Sequence, residues 1–335
     1  MSTYRIPQLR NNVEGEERRV GFELEFAGLE MVQVAKILAE CFDGRVLPAT
    51  HAECEVEVPD FDNFVVELDW HFAKETAKER AEQHFAANAN NGDAMVPSDP
   101  FMEWLTRIAS QVVPVEVVCP PIPISQLDVL DEPIKRLREA GALGTEESML
   151  YAFGVHINPD LPDLSSQTLI RYLKAYCVCQ AWLLKAHEVD PVRRLTPYID
   201  LYPADYIARV MSYESESMEE LIDDYLLFNP TRNRALDLTP LFKFIDEDRL
   251  VAKLSDPRIN GRPTFHYRMP NCAIEKPNWS LAQSWHVWSV IEHLAAETEV
   301  LDDFCRQYMA RQEKLIPIKE AEWHSELDEI SASLG

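Results

Sequence analysis

The stretch RVGFELEFAGL, Arg19 to Leu29, constrains the fold more than any other part of the chain. Side chains alternate faces along a strand, so Phe22, Leu24 and Phe26 point one way while Glu23 and Glu25 point the other. One face is apolar and the other carries two negative charges. An antiparallel sheet with its back to water would account for that pattern. So would a sheet whose polar face does chemistry, and the remaining strands must decide between them.

A strand over 18–27 is followed by a helix over 29–40 and by the extended runs GRVLPA, ECEVEV and NFVVELDW. His71 to Asn91 is rich in helix formers and poor in apolar residues, which predicts an exposed helical insertion over 71–92. A helix near 101–111 leads into VVPVEVVCPPIPI, a strand ended by Pro120 and Pro121. SQLDVLDEPIKRLREAGAL predicts a helix interrupted early by Pro133 and capped by Gly141. Ser165 to His187 reads as a core-packed helix, with Ile170, Leu173, Cys177 and Leu184 on one stripe. Two tyrosine-rich helical pieces follow, then RALDLTPLF, the strand PTFHYRMPNC and a mostly helical C-terminal sixty residues. No repeat, low-complexity linker or composition shift divides the chain. The simplest organisation is an N-terminal extension (1–16), one α+β domain (17–300) and a C-terminal helical extension (301–335).

With 32 Lys and Arg against 57 Asp and Glu, the net charge of −25 opposes nucleic acid and anionic membrane surfaces. The N-terminus has no apolar signal region, and no run approaches the about 18 apolar residues of a membrane span. Seven cysteines at irregular spacing argue for reduced thiols and a cytoplasmic location. Only 10 glycines are present, and none forms a phosphate-cradling loop. The motifs of zincin proteases and α/β-hydrolases are missing too.

The anomaly of the first strand recurs. FVVELDW places Glu67 and Asp69 on one face, PVEVVCPP sets Glu116 among valines, GVHIN pairs His156 with Asn158, and TFHYRMP pairs His266 with Arg268. A water-facing sheet would more often show Lys, Thr, Ser and Gln there. Carboxylates and histidines are concentrated instead and lysine is missing from all five segments, which favours a concave functional face. Carboxylates sharing a concavity repel by about 4 kcal/mol per close pair at an effective dielectric of about 20. A divalent cation would relieve that, and oxygen donors suit Mg²⁺ or Mn²⁺ completed by substrate phosphates. A nucleotide could then bind without a glycine loop, with Arg268, Arg232 and Arg234 supplying charge and Asn158 beside them.

The segments GFELEFAGL, VEVVCPP, FGVHINP, RALDLTPLF and PTFHYRMPNC, in that order, resemble the amidoligase family of the glutamate–cysteine ligase and glutamine synthetase superfamily of carboxylate–amine ligases. The likeness spans Arg19 to Asn271. It implies a curved antiparallel sheet forming a funnel, with helices outside. It also implies ATP- and Mg²⁺-dependent phosphorylation of a carboxylate followed by attack of an amine. Matched residue by residue, Glu23, Glu25 and Glu116 correspond to the metal-binding glutamates, His156 to the histidine of the central H-x-[HN] strand and Arg268 to the phosphate-contacting arginine. Glu67 extends the acidic set, and Arg234 stands with His156 and Arg268 as a catalytic candidate.

One position departs from the family pattern: His266 stands where a glutamate usually precedes the arginine by two residues. An imidazole removes a negative charge and is softer than a carboxylate, a poorer match for Mg²⁺. The site could prefer Mn²⁺, hold one metal fewer, or have lost catalysis. The expected function is an ATP-dependent ligase joining an amino-acid or peptide carboxylate to an amine. The alternatives are an inactive relative that partners other proteins through C-terminal helices carrying Trp279, Trp285, Trp288 and Trp323, and an acidic protein with a wet-backed sheet. Arg193 and Arg194 are expected on a specificity loop over 188–212, as carboxylate clamps or as surface charges.

Overall fold

A computed structural model describes residues 4–48, 50, 52–68, 114–145, 153–195, 199–313 and 320–334 of the 335-residue chain. The insertion expected over 71–92, the helix expected near 101–111 and Asp69 lie outside the described residues.

Nine strands form one sheet: β1 (Arg19–Phe26), β2 (Arg45–Val46), β3 (Glu53–Glu57), β4 (Phe64–Leu68), β5 (Val115–Val118), β6 (Ile122–Pro123), β7 (Val155–Pro159), β8 (Leu236–Asp237) and β9 (His266–Tyr267). Their order is β2-β3-β4-β5-β1-β7-β9-β8, with β6 pairing the start of β1, and the pairings between these strands are antiparallel. The five segments singled out by alternation are therefore five consecutive strands, β4-β5-β1-β7-β9. Together with the helices they make an α+β fold.

The apolar faces of the central strands build the core. Val20, Phe22, Leu24 and Phe26 of β1 are buried together with Val66, Val117, Val155 and Ile157. Each such side chain contributes about 1.5–3 kcal/mol. Helix α1 (Met31–Cys41) lays Val34, Ala35 and Leu38 against β3 and β4. Helix α2 (Asp131–Glu139) carries Pro133 in its first turn, where no intrahelical donor is lost. Its acidic start and basic end suit the helix dipole, and Gly141 beyond it has a φ of +104°, as the sequence predicts for a cap.

Ser165 caps α3 (Ser166–Ala186) by accepting from the Thr168 amide, and α3 packs against α9 (Leu281–Ala296). Between them lie α4 (Pro191–Leu195), α5 (Ala204–Met211), α6 (Met218–Phe228), α7 (Thr239–Ile245) and α8 (Glu247–Lys253). Helices α10 (Thr298–Glu313) and α11 (Glu320–Ser333) follow, and both pack on α3 and α9. The strand β9 is held to these helices by aromatic contacts. The Trp288 ring lies 5.7 Å from Phe265 and 5.0 Å from Tyr267. A buried ion pair pins the start of β1 to α9: Arg18 donates to Glu292 at 2.8 and 2.9 Å, and Tyr172 and Trp288 donate to the same carboxylate.

Trp285, Trp288 and Trp323 are core residues, and Trp279 is half-buried against them. The aromatic side chains invoked for a protein interface are thus spent on packing. All seven cysteines are free, and among the described residues no helix is long and apolar enough to cross a membrane.

Candidate functional site

Directly paired residues of an antiparallel ladder face the same side. The register pairs Glu53 with Glu67, Glu67 with Glu116, and Glu116 with Glu25, so a row of four carboxylates crosses β3, β4, β5 and β1. On β1 the register then pairs Glu23 with His156 of β7. Like charges directly opposite one another are unfavourable, so a cation shared along this row would be stabilising. Glu25, Glu116 and His156 offer donor atoms within 4.8 Å of one another, and so do Glu23, His156 and His266.

The centre of the face is tightly organised. His156 Nδ1 lies 2.6 Å from Glu23 Oε2, and Asn158 Nδ2 donates to Glu23 Oε1 at 2.9 Å. Arg262 Nη1 stands 3.0 Å from the same Oε1. Burial alone would raise the Glu23 carboxyl, but His266, His156 and Arg262 outweigh it and hold it well below the usual carboxylate range. His156 Nδ1 faces Glu23, and its Nε2 lies 3.6 Å from Glu25 Oε1. Glu25 in turn accepts the Gly154 amide at 2.7 Å.

His266 is buried. Its Nδ1 lies 2.6 Å from Asn158 Oδ1 and 2.8 Å from Arg262 Nη2, and one ring nitrogen can satisfy only one of these partners at a time. Burial and the neighbouring Arg268 push His266 well below the ordinary histidine range. Arg268 donates to Asp237 at 3.0 Å, while its buried Nε has no hydrogen-bond partner among the described residues. Asp237 also accepts from the amide and hydroxyl of Thr239, and burial raises its carboxyl despite Arg268. The polar face is thus anionic across β3 to β1 and cationic around β9.

The family model described as "Putative amidoligase enzyme" matches residues 16–290. The chain belongs to this amidoligase family. No curated protein and no solved structure matches it.

For this amidoligase, the structure brings together Glu23, Glu25, Glu116, His156, Asn158, His266 and Arg268, with Glu67 one strand further along the row. Arg232 is close enough to Arg268 and Arg258 that burial and both like charges lower its pKa, and among the described residues no hydrogen bond or ion pair closes on it. Asn158, expected at the nucleotide, donates its amide to Glu23 and lies beside His266.

Arg234 does not join the site. It shares its parity with Leu236, on the core side of β8, and donates to the Leu201 carbonyl at 2.7 Å. Arg193 and Arg194 have different surroundings: the Arg193 guanidinium lies near Glu25, and Arg194 is exposed. Arg193 is buried and donates to the carbonyls of Arg268, Met269 and Pro270, bracing the chain beyond β9. Arg194 donates to the Val189 carbonyl. Three residues escaped the sequence reading. Arg262 lies in the motif GRPTF ahead of β9, Asp237 is the one charge in ALDLTP, and Glu53 opens ECEVEV. For the last two the signal was the same alternation already used elsewhere.

Proposed function

We propose that this amidoligase is an ATP-dependent carboxylate–amine ligase that forms an amide bond on an amino acid or peptide through an acyl phosphate. The carrying observation is the division of one sheet face into an acidic row and a cluster of guanidinium groups, with His156 at the boundary. The reading takes the antiparallel sheet as the wall of the funnel found in glutamine synthetase-like ligases, working on cytoplasmic substrates.

The donor set fits a divalent ion. Glu25 and Glu116 supply two carboxylates and His156 one imidazole nitrogen, with Glu67 next in register. That mixture suits Mn²⁺ at least as well as Mg²⁺. The guanidinium end fits phosphate oxygens, because among the described residues the buried Arg268 Nε lacks a partner and Arg232 stands near the like charges of Arg268 and Arg258, which an anion would relieve. When bound, the ion and the nucleotide supply charge neutralisation and the phosphoryl group that activates the carboxylate. Arg268, fixed by Asp237, orients its fork toward that group, and Glu23 fixes the His156 ring with Nε2 toward Glu25.

Titration of a non-hydrolysable ATP analogue by calorimetry, with Mg²⁺, with Mn²⁺ and with EDTA, tests the reading. Metal-dependent binding is expected. Silence under all three conditions, with ATP turnover at background across amino acids, polyamines and peptides, would overturn it.

A further inference from the structure

Two groups of donor atoms meet at His156, yet they differ in charge. The first, Glu25 and Glu116 with His156, brings two carboxylates. The second, Glu23 and His266 with His156, brings one carboxylate and a second imidazole. A guanidinium already lies across that second group. Arg262 Nη1 is 3.0 Å from Glu23 Oε1, and Arg262 Nη2 is 2.8 Å from His266 Nδ1 and 3.4 Å from Asn158 Oδ1. These are the atoms that a second divalent ion would need.

We propose that the Arg262 guanidinium is a built-in cation that occupies the Glu23–His266 side of the site, so that the chain binds a single divalent ion through Glu25, Glu116 and His156. The inference rests on the metal-binding part of the proposed function. Glu23 gives one negative charge and Arg262 returns one positive charge, so this side has no net charge left to recruit a cation. An imidazole at 266 supplies no negative charge in any protonation state. Strong hydration favours carboxylate-rich sites for Mg²⁺ and Mn²⁺, and the neutralised side is the poorer of the two. Arg262 comes from the loop before β9 and is one-third exposed, so it is held by these contacts and not by the core. Its planar fork matches a carboxylate oxygen on one arm and a ring nitrogen on the other, which a lysine could not do. The arrangement also accounts for His266. A glutamate there would give this side a second carboxylate and an excess of negative charge, whereas the imidazole leaves Arg262 as the balancing cation.

The test is a count of Mn²⁺ bound per full-length chain. Chelator-stripped protein would be titrated with Mn²⁺ alone, and the free ion followed by electron paramagnetic resonance. Wild type is expected to bind one ion, Arg262→Ala two, and Glu25→Gln none at the wild-type affinity. Two ions in wild type, or one in both wild type and Arg262→Ala, would overturn this inference and leave the ligase reading standing. No ion in either protein would overturn both. The wild-type count can refute the proposal by itself, whatever the folding of the variants.

Discussion

His156 Nδ1 sits 2.6 Å from Glu23 Oε2, and the two residues are Cα partners on the adjacent central strands β7 and β1. The pair orients the ring so that Nε2 lies 3.6 Å from Glu25 and Nδ1 4.0 Å from Glu116. On the proposed reading Glu23 positions His156, and its variants should differ from those of a direct ligand. Glu23→Gln is expected to weaken Mn²⁺ binding by about 10- to 100-fold, the usual cost of losing a partner behind a ligating histidine. Glu25→Gln should abolish binding. Equal losses in calorimetric titrations of the two variants would count against this division of roles.

Glu23 also has a pH signature. Its folded carboxyl is held well below the ordinary value, so the unfolded chain takes up the proton first as pH falls. The stabilisation is complete above the unfolded carboxyl range and is lost as pH drops through it toward the folded value. Urea midpoints measured from pH 6 to pH 3 should fall more steeply for wild type than for Glu23→Gln. Parallel slopes would show that the carboxylate is not preferentially stabilised.

His187, at the C-terminal cap of α3, gives a second acid sensitivity at higher pH. Burial and the nearby Arg193 push it down to about 3. The unfolded imidazole protonates near its ordinary range while the folded one stays neutral, so stability drains as pH falls below that range. The slope is at most about 1.4 kcal/mol per pH unit and smaller to the extent that water reaches the half-buried ring. His187→Gln should flatten the denaturation midpoint between pH 6.5 and pH 4.

The ion pair of Arg18 and Glu292 is sealed from water. Removing one partner leaves a buried charge, so Arg18→Met should cost about 3–5 kcal/mol in urea denaturation. The double variant Arg18→Met, Glu292→Leu should recover much of that loss. Additive losses would mean that the two charges do not depend on each other.

Arg193 and Arg194 are neighbours in sequence with different fates. Arg193→Ala removes charged donors from three buried carbonyls and should cost about 3 kcal/mol or more. Arg194→Ala, on an exposed side chain, should stay within about 0.5 kcal/mol. Thermal melts of both variants decide the point. Comparable shifts would remove the bracing role assigned to Arg193.

The central strands and their functional residues were legible because strand alternation has a period of two, which makes a charge on a buried strand conspicuous. Glu23, Glu25, Glu116, His156 and His266 were found that way, and the register placed them together. The same parity places Arg234 with Leu236 and away from Asp237, so it could have been set aside from sequence. Glu53 was equally readable in ECEVEV. Arg262 was not, because it lies in a loop with no periodicity, and only the pairing of β7 with β9 brings it to Glu23. The burial of Arg193 was hidden for a related reason: its acceptors are carbonyls about 75 positions away, and backbone acceptors leave no mark on a sequence.

In β1 the residues that face the site and the residues that face the core are immediate neighbours: Phe22, Glu23, Leu24, Glu25, Phe26. Donor geometry and hydrophobic packing are thus written in alternate letters of the same word. A slip of one residue in this strand would turn both glutamates into the core and its phenylalanines onto the polar face. Change in this strand is then confined to substitution in place, since insertion or deletion within it would lose the site and the fold together.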